Sequence, residues 1–256
     1  MSPRRPPRPW VGESRPVDPA ELVGPRGLTE DVLRGEEGEP AAPEASAAFY
    51  WSLLTPGRRE RIQSVVDARL QSVTVVLDQL LDPHNTAAIL RTAEGLGVLS
   101  AHVVPHGAAD AVAHRRVTQD AHKWLEVERH ASGARAAESL RSSGYEVWAG
   151  HLDPAARLYT ELPADRPLAL LFGNEHEGPS AETLAACTGT FRIPMAGFTQ
   201  SFNVSVAAAI ALAQVTSARR RHLGRAGDLP QDARVLLRDR FTVLAAKLAR
   251  RVKPRR

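Results

Sequence analysis

The sequence predicts an α/β protein with a mostly parallel sheet and helices on both faces of that sheet. From residue 73 onward, short apolar runs alternate with segments that have helical spacing. Repeated strand–helix–strand units of this kind form parallel sheets, because the helix crosses over the sheet before the next strand begins. Glycine, proline and polar residues follow several of the predicted strands, at the positions where open α/β proteins bind ligands.

The predicted elements follow one another in a regular order. Residues 46–70 have a helical pattern, with an Arg-Arg-Glu-Arg run at 58–61 on the exposed side. Residues 73–77 are apolar and β-branched, which predicts a buried parallel strand. Helical spacing covers residues 85–96, and Gly95 and Gly97 end that helix. Further strands are predicted at 102–104, 146–149, 168–172 and 191–193, and further helices at 138–142, 180–186, 201–221 and 229–251.

Composition divides the chain into four segments. Nine of the nineteen prolines precede residue 45, so residues 1–45 are predicted to be largely disordered, with a short helix at 19–34. We expect an N-terminal helical extension at 46–71, the α/β domain at 72–221, and a basic helical extension at 222–256.

Bulk composition excludes several classes of protein. With 256 residues, of which 43% are hydrophobic, the chain can bury a core. Its single cysteine, Cys187, cannot form an internal disulfide, which favours a reducing cytoplasm. The apolar run at 204–213 is too short for the ~20 residues of a membrane helix, and no secretory signal is visible, so we expect no membrane association. The nine histidines are scattered without metal-ligand spacing, so no metal site is expected.

Positive charge is concentrated at the C-terminal end. Residues 216–256 carry eleven Arg and two Lys against three Asp, a net charge of +10, whereas residues 1–45 and 46–215 each carry −3. A cationic end favours a polyanionic partner, and the planar guanidinium of Arg suits phosphate better than the ammonium of Lys does. The alternative is a helix face whose charges only keep it solvated.

The first polar segment follows the strand at 73–77 and runs from Asp82-Pro83-His84-Asn85 to Arg91. Pro83 disfavours a helical Asp82, so a turn can present Asn85 at the start of a helix. Arg91 lies six residues on, nearly two turns, and is expected on roughly the same side as Asn85. Two interpretations stay open: a catalytic pair, or a helix N-cap at Asn85 with Arg91 as a surface ion-pair partner.

The second segment, Gly173-Asn174-Glu175-His176-Glu177-Gly178, follows the apolar strand at 168–172. Its two glycines permit close backbone approach and unusual φ angles, with Glu175 between them. It is neither a Walker A loop nor a Gly-x-Gly-x-x-Gly dinucleotide site, which argues against a kinase, an NTPase or a Rossmann dehydrogenase. A plain strand-to-helix loop, with Ser180 capping the next helix, is the alternative.

The third segment runs from Ile193-Pro194-Met195 to Ser201-Phe202-Asn203-Val204-Ser205. Pro194 and Gly197 predict an extended, kinked loop, and Ser201 is predicted to open a helix of small residues. Small side chains let another backbone pass close by, although simple core packing explains them equally well.

Together and in this order, the three segments resemble the motifs of the SpoU-type RNA ribose 2′-O-methyltransferases, a branch of the SPOUT superfamily. The resemblance covers residues 58–217. It implies a deep C-terminal trefoil knot, S-adenosylmethionine as methyl donor, and a homodimer in which the partner completes each site. It also implies that Asn85 positions Arg91, that Arg91 takes the proton from the ribose hydroxyl, and that Ser201, Asn203 and Glu175 organise the site. The donor-binding residues it implies are His151, Gly173, Asn174, Glu175, Ile193, Met195, Phe202 and Asn203, with Phe202 at a position where most relatives have Leu.

A further patch, Ala121-His122-Lys123-Trp124-Leu125, is similar to one in the tRNA-specific TrmH branch of this family. An Arg-studded helix before the core and a basic helix after it are also similar to that branch. The resemblance implies methylation of tRNA at guanosine 18 of the D-loop. The alternatives are a 23S rRNA ribose methyltransferase of the same fold and a catalytically silent RNA-binding protein. The residues expected to contact RNA are His84, Arg58, Arg59, Arg61, Lys123, Trp124, Arg219 and Arg220.

Overall fold

The computed structural model describes residues 46–106 and 121–251. The predicted disorder at 1–45 and the predicted helix at 19–34 lie outside the described residues. Described residues 46–64 and 235–251 belong to one compact unit, and described residues 65–106 and 121–234 belong to another. Within the described ranges, every helix is too short or too polar to span a membrane.

A seven-stranded sheet forms the centre of the larger unit, and every pair of neighbouring strands in it is parallel. The strands are β1 (Val73–Asp78), β2 (Ser100–Val104), β3 (Glu126–Arg129), β4 (Glu146–Gly150), β5 (Arg157–Leu158), β6 (Leu168–Phe172) and β7 (Gly189–Arg192). Their order across the sheet is β3-β2-β1-β6-β4-β7-β5. The parallel sheet is thus confirmed, whereas chain threading, and with it the trefoil knot, stays a prediction.

The sequence did not predict strands β3 and β5, and the reason is physical. All four residues of β3 are exposed, and two of them are glutamates, so the strand has no apolar run to reveal it. Strand β5 has only two residues. Both lie at the ends of the sheet, where one neighbouring strand supplies the backbone hydrogen bonds and side-chain burial is not required.

The α-helices of the described ranges are α1 (Ala47–Leu53), α2 (Pro56–Asp67), α3 (Pro83–Gly95), α4 (Gly133–Ser142), α5 (Ala181–Ala186), α6 (Val204–Leu223) and α7 (Gln231–Arg251). The single helix expected over residues 46–70 is divided into α1 and α2. Pro56 begins α2, and a proline disfavours the helical conformation of the residue before it, so the chain breaks at Leu54 and Thr55.

Helices cover both faces of the sheet, as predicted. Val75 of β1 shares a buried apolar cluster with Ile89 of α3 and Leu212 of α6. Its neighbour Val76 points the other way and shares a second cluster with Ala137 of α4. The alternation along one strand therefore places α3 and α6 on one face and α4 on the other.

In the smaller unit, α7 contributes large apolar side chains to the interior. Tyr50, Leu54 and Ile62 are buried there, as are Leu237 and Phe241 of α7. The basic C-terminal helix is therefore a packed element of this unit.

Candidate active site

Four adjacent strands of the sheet end at the predicted site. In the order β1-β6-β4-β7, they lead into the first segment, the second segment, His151 and the third segment, respectively. The carboxyl ends of parallel strands lie at one edge of the sheet, so segments more than a hundred positions apart meet there.

A cavity of about 550 Å³ opens at this edge. Phe172 and Phe191 line it and meet edge to face, with their ring centres 5.9 Å apart. All eight predicted donor-binding residues line the cavity, and Ser201 does so as well. Lining residues that were not predicted include Gly150, Leu152, Phe172, His176, Glu177, Phe191, Arg192, Gln200, Val204 and Ala207. Most of them adjoin predicted residues in sequence, and position next to a strand end was the only signal for them.

Glu175 binds the first segment to the second. Its Oε2 accepts a hydrogen bond from the backbone N–H of Leu81 at 2.8 Å, and its Oε1 accepts from the N–H of Asp82 at 3.3 Å and from Nδ2 of Asn85 at 2.9 Å. Burial raises the pKa of Glu175, but these hydrogen bonds outweigh it and lower the pKa below its ordinary value. Glu175 is therefore ionised at neutral pH, and it holds the first two segments together.

Asn85 connects Glu175 of the second segment to the third segment. While its Nδ2 donates to Glu175, its Oδ1 accepts from Nδ2 of Asn203 at 3.1 Å. Asn203 in turn accepts at Oδ1 from the backbone N–H of Ser205 at 2.8 Å. One continuous chain of hydrogen bonds therefore connects all three predicted segments.

The structure rules out one of the two interpretations of Asn85. The N-cap of α3 is Asp82, whose side chain accepts from the N–H of His84 at 2.8 Å. Asn85 is a buried first-turn residue, only 8% exposed. The N-cap interpretation of Asn85 is wrong, because the helix starts two residues earlier than predicted, with Pro83 in its first turn.

Arg91 does not share a side of α3 with Asn85. Six residues correspond to roughly 600° of rotation at about 100° per residue, so the two side chains are about 120° apart around the helix. Accordingly, Asn85 is buried, Arg91 is exposed, and Arg91 is not among the residues that line the cavity.

Gly173 is required by the loop that contains it. A Cβ added there would collide with backbone atoms of Gly178 and Pro179, because the loop folds back on itself and the N–H of Gly178 donates to the carbonyl of Asn174 at 2.8 Å. Gly178 has a φ of 69°, a left-handed conformation that glycine adopts readily. Ser180 caps α5, as expected for a plain strand-to-helix loop. The same loop also lines the cavity, so the two interpretations of the second segment are compatible.

The third segment stays extended for longer than predicted. Helix α6 begins at Val204 with Asn203 as its N-cap, so Ser201 does not open the helix. The Asn203 side chain accepts hydrogen bonds from the backbone N–H and the hydroxyl of Ser205, as an N-cap does. Ser201 and Phe202 therefore lie before the helix, in the loop that lines the cavity.

Two of the predicted RNA contacts prove to be structural. Arg219 is 9% exposed, and its guanidinium donates to Oγ of Ser72 at 2.8 Å and to the carbonyl of Ala164 at 3.0 Å. Arg220 donates to the carbonyls of Leu96 at 2.7 Å and Ala226 at 2.7 Å. Because these donors serve oxygen atoms of this chain, the structure does not support an RNA contact by the buried Arg219, and for the half-buried Arg220 the contact stays a prediction.

The remaining predicted RNA contacts differ in accessibility. His84 and Arg61 are exposed, whereas Lys123 and Trp124 are half-buried. Arg58 and Arg59 are also half-buried; Arg59 donates to the carbonyl of Ser52 at 2.7 Å. Burial and the neighbouring Arg61 lower the pKa of Arg58.

One group of side chains departs from the expectation that the histidines are scattered. His102, Glu128 and His130 come together at the β2–β3 end of the sheet. Sequence spacing did not reveal them, because two neighbouring strands bring together residues that are 26 and 28 positions apart.

Comparison with known proteins agrees with this geometry. Residues 72–213 match the SpoU rRNA Methylase family. The chain is 41% identical over 159 residues to the tRNA (guanosine(18)-2'-O)-methyltransferase of Thermus thermophilus, a match that covers 62% of this chain and 81% of that protein.

Two solved structures are similar to the fold. The crystal structure of the Aquifex aeolicus TrmH/SpoU tRNA modifying enzyme is 27% identical and has a TM-score of 0.66, covering 73% of this chain and 95% of that chain. The AdoMet-bound rRNA methyltransferase from Sinorhizobium meliloti is 27% identical with a TM-score of 0.52, covering 63% of this chain and 60% of that chain.

The matched residues 72–213 include all three segments that converge on the cavity and the hydrogen-bonded chain that links them. The sequence match and the shared fold thus concern the same part of the molecule as the candidate site. On both grounds, the chain belongs to the SpoU methylase family.

Proposed function

We propose that this chain transfers a methyl group from S-adenosylmethionine to the ribose 2′-hydroxyl of guanosine 18 in the D-loop of tRNA. The observation that carries the proposal is the hydrogen-bonded chain Glu175–Asn85–Asn203, which joins the three family segments at one cavity. The 41% identical relative from Thermus thermophilus, named for methylation of guanosine 18, supports the substrate.

The cavity suits the methyl donor in size and in chemistry. Its volume of about 550 Å³ lies within the range of small-molecule sites, about 300–1,000 Å³. Apolar walls from Ile193, Met195 and Phe202 suit a purine ring, and polar groups of Asn174 and Asn203 suit the charged amino-acid end. When bound, S-adenosylmethionine supplies an electrophilic methyl group on its sulfonium.

The protein's own contribution is to hold the reacting groups in place. Glu175 and Asn203 fix both ends of the Asn85 amide, and this fixes the start of α3, the helix that carries Arg91. Orientation of this kind supplies much of the acceleration in two-substrate reactions. An arginine side chain donates hydrogen bonds and accepts none, so the part of Arg91 is to hold the ribose and to stabilise its 2′-oxygen while the hydroxyl proton passes to a phosphate oxygen of the RNA substrate.

The exposed position of Arg91 supports a homodimer. Arg91 does not line the cavity of its own chain, so we infer that it reaches a ribose bound at the cavity of a second copy. Several apolar side chains are exposed at the cavity's loops and at the start of α6, namely Leu152, Phe198, Phe202 and Val206. Exposed apolar patches mark interaction sites, and a second copy would bury this one. A tRNA substrate and a lone cysteine also support a cytoplasmic location.

The test is methyl transfer from labelled donor to separate pools of unmodified tRNA and ribosomal RNA. We expect the wild type to label tRNA at a ribose of the D-loop. The Arg91→Ala variant should label tRNA no more than the background without enzyme. Label confined to ribosomal RNA would indicate an rRNA methyltransferase of the same fold. Tight tRNA binding without transfer to either pool would indicate a silent RNA-binding protein, and both outcomes contradict the proposal.

A further inference from the structure

Two imidazoles and a carboxylate meet at the β2–β3 end of the sheet, away from the strands that lead into the cavity. His102 in β2 and Glu128 in β3 are direct partners in the parallel register. His130 follows β3, and its backbone N–H donates to the carbonyl of Val103 at 3.1 Å. The sheet's own hydrogen bonds therefore place all three residues.

The donor atoms of these side chains converge. Nδ1 of His102 lies 2.9 Å from Nε2 of His130, and oxygens of the Glu128 carboxylate lie 3.6 Å from each of the two nitrogens. The two imidazoles are almost inaccessible, with 9% and 8% of their side chains exposed, whereas the Glu128 side chain is 61% exposed. Two fixed nitrogen ligands thus face one carboxylate that approaches from solvent.

We propose that His102, Glu128 and His130 bind a divalent transition-metal ion, and that Zn²⁺ fits the set best. Two imidazole nitrogens and one carboxylate oxygen are ligands that zinc accepts, and a solvent-facing position remains for water. Calcium and magnesium prefer oxygen ligands throughout, so the two nitrogens argue against them.

The ligand spacing requires only a small adjustment. Metal–nitrogen bonds of about 2.0–2.1 Å at a tetrahedral angle put the two nitrogens about 3.3–3.4 Å apart, so the imidazoles separate by roughly 0.4–0.5 Å on binding. The exposed Glu128 side chain can follow by rotating. The alternative is a direct hydrogen bond between the imidazoles that uses the same two nitrogens, so it and the metal exclude each other.

The metal would have a structural role at this place. Among the described strands, β3 pairs only with β2, and all its side chains are exposed. An ion held by one residue of β2, one of β3 and one just after β3 would secure this end strand. Zinc should therefore raise the melting temperature of the protein.

The test uses the untagged full-length chain, stripped with chelator and titrated with Zn²⁺ by calorimetry, with Co²⁺ absorption as a report on ligand geometry. We expect one tight site per chain and a higher melting temperature with zinc. His130→Gln should weaken zinc affinity roughly 10–100-fold or more, since loss of even an outer-shell partner has an effect of that size. Glu128→Gln should weaken it as well, and the thermal shift should disappear in both variants.

The matched control is His222→Gln, which removes an exposed histidine from α6, and it should leave zinc affinity unchanged. Circular dichroism and donor binding check that every variant is folded. The proposal is overturned if the wild type shows no tight site, or if the His130 and Glu128 variants bind zinc as the control does. None of these readouts depends on methyl transfer, so failure here leaves the proposed function untouched.

Discussion

At the scale of single residues, Asn85 links the three segments of the site, because it uses both ends of its amide. Its Nδ2 and Oδ1 reach Glu175 in the second segment and Asn203 in the third. A buried polar group that loses its partners costs about 1–3 kcal/mol. Asn85→Ala should therefore lower the free energy of unfolding by about that amount and weaken donor binding.

Chemical denaturation and calorimetry with S-adenosylmethionine measure these two effects. The control is Gln200→Ala, which removes an exposed amide that lines the same cavity. Its stability should change by less than about 0.5 kcal/mol, as for ordinary surface substitutions. Equal stability of the Asn85 variant and the control would show that the hydrogen-bonded chain does not hold the segments together.

Arg91 is the residue whose assignment depends on a second copy of the chain. Arg91→Ala should abolish methyl transfer and leave donor affinity intact, because Arg91 does not line the cavity. Asn203→Ala should instead impair the donor side. Mixing the two inactive proteins under conditions of subunit exchange should restore activity. In a mixed dimer, the Arg91 variant supplies an intact cavity and the Asn203 variant supplies an intact Arg91, so one of the two sites is complete.

Unmixed samples of each variant are the controls for that experiment. Absence of any recovery, despite mixed dimers shown by native mass spectrometry, would mean that Arg91 acts within its own chain or not at all.

At the scale of elements, the loop between β6 and α5 depends on Gly173 for its own closure. An added Cβ would meet the backbone of Gly178 and Pro179, which cannot move aside as a flexible side chain can. Gly173→Ala should therefore destabilise the protein by about 1–3 kcal/mol, the usual effect of overpacking, and should weaken donor binding through the displaced loop.

Gly197→Ala is the matched control, because the space around Gly197 is open and its φ is not in the left-handed region. Denaturation curves should separate the two variants clearly. Similar stabilities would show that the loop can open without cost and that Gly173 is not needed for its closure.

The sequence predicted elements well where burial dictates residue type, and poorly where contacts across the sheet decide. Strand β1 is buried at every position, and its β-branched apolar run revealed it. The first and third segments were located correctly, but their helix starts were displaced, because Asp82 and Asn203 cap α3 and α6. Several polar residues in each segment are plausible caps, so spacing alone could not choose among them.

Interactions between distant positions could not be predicted for a related reason. The sequence marks Glu175, Asn85 and Asn203 as polar residues at strand ends, but their hydrogen bonds depend on the order of β1, β6 and β7 in the sheet. Arg219 illustrates the converse: it belongs to a basic run in the sequence, yet it is buried and donates to Ser72. Net charge therefore overstates the cationic surface available to RNA.

At the scale of the whole molecule, RNA affinity should depend on cations that remain exposed. In the smaller unit these include Arg61, Arg240 and Lys247. Replacing all three with Gln should weaken tRNA binding and reduce the slope of log affinity against log salt by about 0.7–0.9 for each phosphate that the protein no longer neutralises. Filter binding over a series of salt concentrations measures both quantities, and donor binding should be unchanged.

A charge-matched control replaces three exposed arginines of the larger unit, Arg129, Arg135 and Arg166. If RNA binds through specific phosphate contacts in the smaller unit, this control should retain most of the affinity and the original slope. Identical losses in the two triple variants would indicate that only the net charge matters.

We expect the cavity and its three segments to methylate one ribose of tRNA, and a tRNA already blocked at that ribose provides the test. Two transcripts of the same tRNA are compared, one unmodified and one that already carries a 2′-O-methyl group at guanosine 18. Methyl incorporation from labelled S-adenosylmethionine should approach one group per unmodified transcript and should be absent from the blocked one. Equal incorporation into both transcripts would show that the enzyme modifies another position and that guanosine 18 is not its target.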